Sequence, residues 1–387
     1  MTESATIMMA QKARELKSKG INVINLSLGE PDFDTPEHIK GAAKKALDEG
    51  HTKYTPVPGE LVLREAISRK FSRDNNLDYS VDQIVVSNGA KQSIANVILS
   101  VINPGDEVIM LSPYWVSYYE IIKLAGGIPV PVKAGVDQDF KVTPEQLKKV
   151  LTPKTRGLIF SSPCNPTGSV YSKDELQGLA DVLNSYPEVV VVSDEIYEYI
   201  NFTKEHISFA GLENMKDRTV TVNGFSKGFA MTGWRLGYIG APEQIAKACI
   251  KIQGQFTSGA TAFGQIAAAH ALESDLTPTM KMKAAFEKRR DLVISLVREI
   301  PGFNCHLPQG AFYIFPDVSA LFGKRHEKGV IHNSFDLAMH CLEKAHVAIV
   351  DGAAFGAPEC IRLSYAASDS EIREALKRIK EAVNELK

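Results

Sequence analysis

The stretch Val189-Val-Val-Val-Ser-Asp-Glu-Ile-Tyr197 decides the fold class of this chain. Four consecutive valines, followed after one serine by an aspartate, are typical of a strand that is covered on both faces and ends in a cleft. Similar short runs recur and alternate with helix-length amphipathic stretches, which predicts an α/β fold with a mostly parallel central sheet and helices on both faces. The predicted strands are Gln83–Ser87, Glu107–Leu111, Ile128–Val132, Gly157–Ser161, Val189–Ser193, Thr219–Asn223 and Leu236–Gly240.

The pattern changes near Thr277, where a smaller α/β domain is predicted to begin. We expect an N-terminal arm (residues 1–35) that packs with the small domain, a large domain (36–276) and a small C-terminal domain (277–387). Helices are predicted in the large domain at Ile94–Val101, Trp115–Leu124, Lys173–Asn184 and Pro242–Ile252, and in the arm at Ser4–Lys19. The C-terminal elements are predicted as helices Pro278–Arg298, Asn333–Ala345 and Asp369–Leu386, short runs Phe303–Leu307 and Ala311–Phe315, and strands Val347–Val350 and Ile361–Ser364.

The composition excludes several classes of protein. Among the 387 residues, 44 Lys and Arg balance 46 Asp and Glu, and the net charge of −2 argues against a nucleic-acid binder. No run approaches the 18 or so apolar residues of a membrane span. The five cysteines are scattered, without a Cys-x-x-Cys pair, which argues for reduced thiols and against a disulfide scaffold or metal site. The start, Met-Thr-Glu-Ser, lacks the positive charge of a signal peptide, so we expect a cytoplasmic enzyme.

Ligands of open α/β sheets bind beyond the carboxyl ends of the strands, and one predicted strand there leads to a lysine. Lys227 lies in Val222-Asn-Gly-Phe-Ser-Lys-Gly-Phe-Ala-Met-Thr-Gly-Trp-Arg-Leu-Gly237, among small and apolar neighbours. Desolvation there would free an amine that can form a Schiff base with a carbonyl. Arg235 follows eight positions later, and its guanidinium could bind a phosphate with two parallel hydrogen bonds. A surface lysine beside a turn remains the alternative for Lys227 taken alone.

Three further strand ends carry polar groups. Asp194 is placed to hold a proton on a heterocyclic nitrogen and Tyr197 to hydrogen-bond a phenolate, although an aspartate there also suits a helix N-cap. The stretch Ser161-Ser-Pro-Cys-Asn-Pro-Thr-Gly168 includes Asn165 and is equally compatible with a plain loop. Ser87-Asn-Gly-Ala-Lys-Gln92 runs from a strand into a helix, whose free N–H groups suit phosphate, or forms an ordinary turn.

These stretches occur together in the order and spacing of one enzyme family. The chain resembles the class I aminotransferases, which are pyridoxal-phosphate enzymes of fold type I, and is most similar to the bacterial aspartate aminotransferases of the subgroup typified by thermophilic enzymes. The resemblance runs from about Asn22 to Leu386. Its motifs are Gly29-Glu-Pro-Asp-Phe33, Lys53-Tyr54, Pro113-Tyr-Trp-Val-Ser117, Asn165-Pro-Thr-Gly168, Ser193-Asp-Glu-Ile-Tyr197, Ser226-Lys227, Met231-Thr-Gly-Trp-Arg235 and Arg362-Leu-Ser-Tyr365.

The resemblance implies a role for each matching residue. Lys227, Asp194 and Tyr197 would be catalytic, with Lys227 carrying pyridoxal 5'-phosphate and moving the substrate proton. Many relatives place a phosphate-binding serine where this chain has Gly224. The cofactor would be bound by Gly89, Ala90, Lys91, Trp115, Asn165, Asp194, Tyr197, Ser226, Lys227, Arg235 and, from the second subunit of a homodimer, Tyr54. The substrate would be bound by Gly29, Lys91, Trp115, Asn165 and Arg362.

The resemblance also implies the reaction. In the subgroup, the lysine at the position of Lys91 binds the distal carboxylate of aspartate or glutamate. We therefore expect L-aspartate and 2-oxoglutarate to react in two ping-pong half-reactions, giving oxaloacetate and L-glutamate. Prephenate, aromatic or alanine aminotransferase activity stays open, and so does a carbon–sulfur or cyclopropane-type lyase of the same fold. A non-catalytic regulator that senses pyridoxal phosphate is disfavoured, because such proteins usually carry a DNA-binding domain as well.

Overall fold

A seven-stranded sheet forms the centre of the computed structural model, which describes residues 5–387. Six strands are parallel, and Gly237–Gly240 runs antiparallel to both of its neighbours. The mostly parallel sheet therefore agrees with the sequence prediction, and each predicted strand lies within two residues of an observed one. In spatial order the strands are Ile84–Ser87, Gly237–Gly240, Thr219–Gly224, Val190–Asp194, Thr155–Ser161, Glu107–Ser112 and Ile128–Lys133.

Helices cover both faces of this sheet. Along two neighbouring strands, Ile159 and Val192 pack into one buried cluster, whereas Leu158 and Val191 pack into another on the opposite face. Alternate side chains of both strands are thus removed from water, which explains why the strands read as unbroken apolar runs. The helices of this part are Glu37–Asp48, Leu61–Asn75, Ala90–Val101, Ser117–Leu124, Pro144–Val150, Lys173–Leu183, Glu243–Phe256 and Ala262–Glu273.

The C-terminal part packs around a separate apolar cluster that also includes Met9 and Ala13 of the first helix, Ala5–Ser18. Ser4, the first residue of the predicted helix, lies outside the described residues. This part contains the helices Thr277–Val297, Ser334–His340 and Asp369–Asn384, a π-helical turn Cys341–Ala345 and a hairpin of Arg325–His326 with Gly329–Val330. Its three-stranded antiparallel sheet has the order Val350–Asp351, Ile361–Ser364 and Tyr313–Ile314.

One of the predicted C-terminal strands differs from the observed structure. The run Val347–Val350 is not one strand, because Val347–Ala348 pairs in parallel with Ile24–Asn25 and Val350–Asp351 pairs with the three-stranded sheet. The backbone changes partner at the buried Ile349. The run Phe303–Leu307 forms no strand, and only its Asn304 makes an isolated bridge. Within residues 5–387, no helix is long and apolar enough to cross a membrane.

Candidate active site

Four strand ends converge on one cavity of about 480 Å³. Asp194 is the last residue of its strand, Asn165 follows the strand Thr155–Ser161, and Lys227 follows the strand Thr219–Gly224. The helix that begins at Ala90 starts at a fourth strand end. Because the register aligns the carboxyl ends of the parallel strands, residues far apart in sequence line a single cleft. Arg362 reaches the same cavity from the three-stranded sheet.

The carboxylate of Asp194 is buried and hydrogen-bonded at both oxygens. Its Oδ2 accepts a hydrogen bond from Tyr118 Oη at 2.5 Å, and its Oδ1 accepts one from the Ile196 backbone N–H at 3.3 Å. Burial raises the pKa of Asp194 to about 6, although the hydrogen bond from Tyr118 opposes that rise. The side chain thus lines the cavity as an acid poised near neutrality, not as a solvated helix cap.

Lys227 presents an activated amine to the same cavity. Burial, together with the positive charge of Arg362, lowers the pKa of Lys227 to about 8. Nζ donates a hydrogen bond to the backbone carbonyl oxygen of Gly29. A lysine with a depressed pKa is partly unprotonated near neutral pH, and the unprotonated amine is the nucleophilic form.

The start of the helix Ala90–Val101 forms an anion cradle with Arg235. Gly89 precedes the helix at φ 85°, and a Cβ there would lie 2.9 Å from Arg235 Cζ, so only glycine leaves the guanidinium this close to the helix start. Arg235 itself has a left-handed backbone at φ 55°. Strain at a non-glycine residue is typical of functional positions. Ser226 lines the cavity beside this cradle.

Two buried polar atoms at the same strand ends, Ser87 Oγ and Asn223 Nδ2, have no hydrogen-bond partner among the described residues. A side chain at Gly224 would lie 2.9 Å from both Gly237 Cα and Leu236 O, so the local packing excludes serine there. The cradle, Arg235 and the Ser226 hydroxyl together offer the cationic and N–H donors that a phosphate monoester needs. The residues present therefore fit pyridoxal phosphate.

Arg362 is a buried cation without an anionic partner. Its side chain is 1% exposed, and no carboxylate of the described residues lies within ion-pair distance. Nη2 donates to the Ser27 carbonyl oxygen at 2.6 Å and Nη1 to Asn165 Oδ1 at 3.1 Å, whereas Nε has no partner in the described chain. The guanidinium lies 4.6 Å from the ring centroid of Tyr313 and 5.0 Å from that of Phe355. Buried charges are normally paired, so the Arg362 guanidinium is suited to bind an anionic ligand.

Aromatic groups form the remaining walls. Tyr197 Oη lies 2.7 Å from Tyr313 Oη, and burial, reinforced by Tyr313, raises the pKa of Tyr197. Trp115 lines the cavity with the Lys91 ammonium 5.0 Å from its ring centroid. Partial burial and the nearby charge of Arg235 lower the pKa of Lys91.

The structure brings nearly all of the sequence-predicted residues together. Only two of them do not line the cavity: Gly89 lies behind it in the cradle, and Tyr54 is fully exposed elsewhere on the chain. Sequence reasoning missed Tyr118, Tyr313 and Phe355. Tyr118 lies three residues after Trp115, a spacing that could have pointed to it, whereas the other two follow no strand of the central sheet.

A second polar cluster begins at Glu195, the residue that follows Asp194 in the sequence. Ligand atoms of Glu195, Glu198 and His206 lie within 4.8 Å of one another. The ammonium of Lys70 pairs with Glu198, and His206 Nε2 lies 2.8 Å from Glu195 Oε2. The contact with Glu195 raises the pKa of His206 against the opposing effect of its burial. Cations of the chain therefore already compensate these carboxylates, and we assign no metal to them.

Comparison with known proteins gives one consistent result. Residues 21–379 match the family described as aminotransferase class I and II. A probable aspartate/prephenate aminotransferase of Rhizobium leguminosarum bv. phaseoli is 48% identical over 379 residues, which are 97% of this chain and 95% of that protein. The aspartate aminotransferase of Geobacillus stearothermophilus is 45% identical over 384 residues, which are 98% of this chain and 96% of that protein.

Solved structures agree with these relatives. The crystal structure of the aspartate aminotransferase from Rhizobium meliloti superposes with a TM-score of 0.96 at 41% identity, covering 100% of this chain and 98% of the other. The aspartate aminotransferase from Thermus thermophilus with maleate superposes with a TM-score of 0.93 at 39% identity, covering 99% and 97%.

Proposed function

The chain belongs to the class I and II aminotransferases, which depend on pyridoxal phosphate, and from that premise we propose that it transfers the amino group of L-aspartate to 2-oxoglutarate. The products are oxaloacetate and L-glutamate. Family and fold type I thus agree with the motifs in the sequence. The choice of substrate draws on relatives named aspartate aminotransferase and on two cations of the cavity.

The observation that carries this proposal is that one cavity contains two cations, Arg362 and Lys91, without an ion-pair partner among the described residues. Neither side chain makes an ion pair with a carboxylate of the described residues. A dicarboxylic amino acid brings two carboxylates, whereas alanine brings one. We assign the α-carboxylate to Arg362, whose planar fork suits bidentate binding, and the distal carboxylate to Lys91. Asn165 and the backbone of Gly29 lie beside Arg362 and Lys227 and complete the substrate site.

When bound, pyridoxal phosphate supplies an aldehyde for the amino group and a ring that accepts the electron pair left at the α-carbon. Lys227 Nζ would hold the aldehyde of the cofactor, and the same atom would take and return the α-proton of the substrate. The depressed pKa of Lys227 suits a base near neutral pH. Asp194 would hold the proton on the ring nitrogen. Tyr197 and Asn165 would donate hydrogen bonds to the phenolic oxygen, and Trp115 would cover the ring face.

The phosphate group is assigned to the cradle of the active site. Gly89, Ala90 and the N–H groups of the helix start would surround it, and Ser226 and Arg235, which line the same cavity, would donate to it. Lys91 adds positive charge at the same helix start. Since Gly89 leaves room for the Arg235 guanidinium, the cradle concentrates positive charge without a metal ion.

We further propose a homodimer in the cytoplasm. Tyr54 is fully exposed on the single chain, and the exposed apolar side chains Leu61, Val62 and Phe256 are ones that a second copy would cover. In that dimer, Tyr54 would bind the phosphate of the cofactor in the other subunit. All five cysteines are free, as suits a reducing compartment. The proposed division into residues 1–35, 36–276 and 277–387 draws support from the separate apolar clusters of the sheet and the C-terminal part.

A donor panel tests the proposed reaction. Aspartate, alanine, phenylalanine and cysteine are offered to the holoenzyme with 2-oxoglutarate, and formation of the oxo acid of each donor is measured. We expect aspartate to be converted fastest of these donors, and only when 2-oxoglutarate is present. Equal turnover of alanine would contradict the choice of substrate. Release of ammonia and pyruvate in the absence of added 2-oxoglutarate would indicate a lyase.

Prephenate is the second candidate, as an amino acceptor. Several relatives carry aspartate/prephenate in their names, among them the one from Rhizobium leguminosarum. Leu28, Ile94 and Val116 give the cavity an apolar wall against which a ring can pack. Transamination of prephenate with aspartate or glutamate as donor tests this candidate. No consumption of prephenate at concentrations that saturate 2-oxoglutarate turnover would exclude it.

A further inference from the structure

Tyr118 is the most closely placed side-chain partner of Asp194. It lies in the first turn of the helix Ser117–Leu124, is 1% exposed, and donates its hydroxyl proton to Asp194 Oδ2 at 2.5 Å. We propose that Tyr118 is a positioning residue that keeps Asp194 ionised and fixes which edge of its carboxylate faces the ring nitrogen of the cofactor. The proposal rests on the proposed function, in which Asp194 holds that nitrogen.

Asp194 needs such a partner because its surroundings disfavour a charge. The side chain is buried, and no cation of the described residues lies within ion-pair distance of it. The neighbouring Glu195 is also anionic and further disfavours ionisation of Asp194. A carboxylic acid that has regained its proton could not hold a proton on the ring nitrogen. A hydroxyl that donates to the carboxylate favours its charged form.

A neutral donor suits this position better than a cation would. Burial, reinforced by the nearby charge of Asp194, raises the pKa of Tyr118 well above its ordinary value, so the hydroxyl keeps its proton at every working pH. An ammonium or guanidinium would neutralise Asp194 and compete with the protonated ring nitrogen. Tyr118 instead leaves the full negative charge available and occupies only Oδ2, while the Ile196 N–H holds Oδ1.

Tyr118 also links two contacts of the proposed cofactor site. Its ring packs against Trp115, with centroids 5.5 Å apart and planes at 84°. Trp115 and Asp194 both line the cavity, where they would meet the face and the edge of the cofactor ring. The turn in which the Tyr118 N–H donates to the Trp115 carbonyl oxygen therefore helps to set the position of both groups. The tyrosine ring is itself fixed in the apolar cluster that contains Ile159 and Val192.

The test uses Tyr118→Phe, which removes the hydroxyl and keeps the packed ring. Tyr119→Phe is the matched control, since Tyr119 is adjacent and only partly buried. The probe is pyridoxamine phosphate, which has the same ring and phosphate but no aldehyde, so the titration of Lys227 does not enter through covalent attachment. Its dissociation constant from the apoprotein is measured between pH 5 and pH 9, together with the melting temperature.

We expect Tyr118→Phe to weaken probe binding by about 10-fold or more, as for loss of a hydrogen bond to a charged group. The acid limb of the pH profile, where affinity falls as the pH decreases, should move to higher pH. The reason is that Asp194 without its hydrogen-bond donor regains a proton more readily. The other titratable groups that face Asp194 are Glu195, Tyr197, Cys164 and Lys227. All four are retained in both variants, so they do not account for a difference between them.

Asp194→Asn separates this proposal from the proposed function. If Asp194→Asn weakens probe binding but Tyr118→Phe leaves the acid limb where the wild type has it, the positioning role is overturned and the role of Asp194 stands. If Asp194→Asn binds the probe as tightly as the wild type, both are overturned. In the double variant, Tyr118→Phe should add nothing to Asp194→Asn, because a residue that acts through Asp194 has no effect without it.

Discussion

Arg362 Nη1 donates a hydrogen bond to Asn165 Oδ1 at 3.1 Å, across 197 positions of sequence. The second amino group, Nη2, donates to the Ser27 carbonyl oxygen at 2.6 Å, so the plane of the guanidinium is fixed before any substrate arrives. Holding a buried cation in this way is costly for the fold, and the cost is understandable only if an anion binds there.

Arg362→Lys should therefore impair the enzyme towards every amino donor. The ammonium keeps the charge but loses the fork that binds a carboxylate with two parallel hydrogen bonds. A hydrogen bond to a charged group is worth about 1.5–3 kcal/mol, so kcat/KM should fall by about 10- to 150-fold for aspartate and alanine alike. Steady-state kinetics with both donors measure this. A loss for aspartate alone would mean that Arg362 binds the distal carboxylate.

Attachment of pyridoxal phosphate to Lys227 should depend on pH. The pKa of Lys227 is about 8, and only the unprotonated amine attacks the aldehyde, so the rate of attachment to the apoprotein should rise with pH and level off above about 8. Stopped-flow absorbance follows the attachment. Borohydride reduction and peptide mapping should then place the label on Lys227. A label on another lysine would refute the assignment.

The active site should require two subunits. Tyr54 is exposed on its own chain and is proposed to bind the phosphate of the other subunit. Tyr54→Ala and Lys227→Ala should each be nearly inactive, but a mixed and refolded sample should regain activity, because each hybrid dimer has one intact site. Random pairing of equal amounts restores about a quarter of the sites. Mixing without refolding is the control. A monomer with full activity would contradict the prediction.

The sequence was informative where a local pattern reflects burial. The valines of Val189-Val-Val-Val192 indicated a strand covered on both faces, and its end indicated Asp194. The helix Ala262–Glu273 was missed because its apolar residues, mostly alanines, surround the whole helix and leave no periodic face. The two-residue strand Ile24–Asn25 was missed because so short a strand has no period, and its partner lies more than 300 residues away.

The candidate site shows the same difference between residues in local sequence motifs and residues that only tertiary packing brings together. Lys227 and Asn165 lie in motifs directly after strands, so the sequence indicated them. Tyr313 was missed because its contacts with Arg362 and Tyr197 exist only after the C-terminal sheet packs against the strand ends. Tyr54 was assigned by resemblance alone, and nothing in the single chain brings it to the cavity.

Lys91 should select dicarboxylic substrates. Its ammonium lies 5.0 Å from the Trp115 ring centroid, lines the cavity, and has no carboxylate partner among the described residues. A charge-assisted contact with the distal carboxylate is worth about 1.5–3 kcal/mol, so Lys91→Ala should lower kcat/KM for aspartate by about 10- to 150-fold. Alanine has no distal carboxylate, and its kcat/KM should change much less.

Two controls make this comparison decisive. Lys91→Ala leaves the backbone N–H groups of the helix start in place, so cofactor absorbance should persist and a general loss of cofactor can be recognised. Lys123 also lies over an aromatic ring, with its ammonium 5.4 Å from the Tyr119 ring centroid, but it does not line the cavity. Lys123→Ala should therefore leave kcat/KM for both donors unchanged. Equal losses for aspartate and alanine in Lys91→Ala would show that Lys91 serves the cofactor and not the distal carboxylate. No loss for either donor would mean that another group binds the second carboxylate, because Arg362 alone cannot distinguish aspartate from alanine.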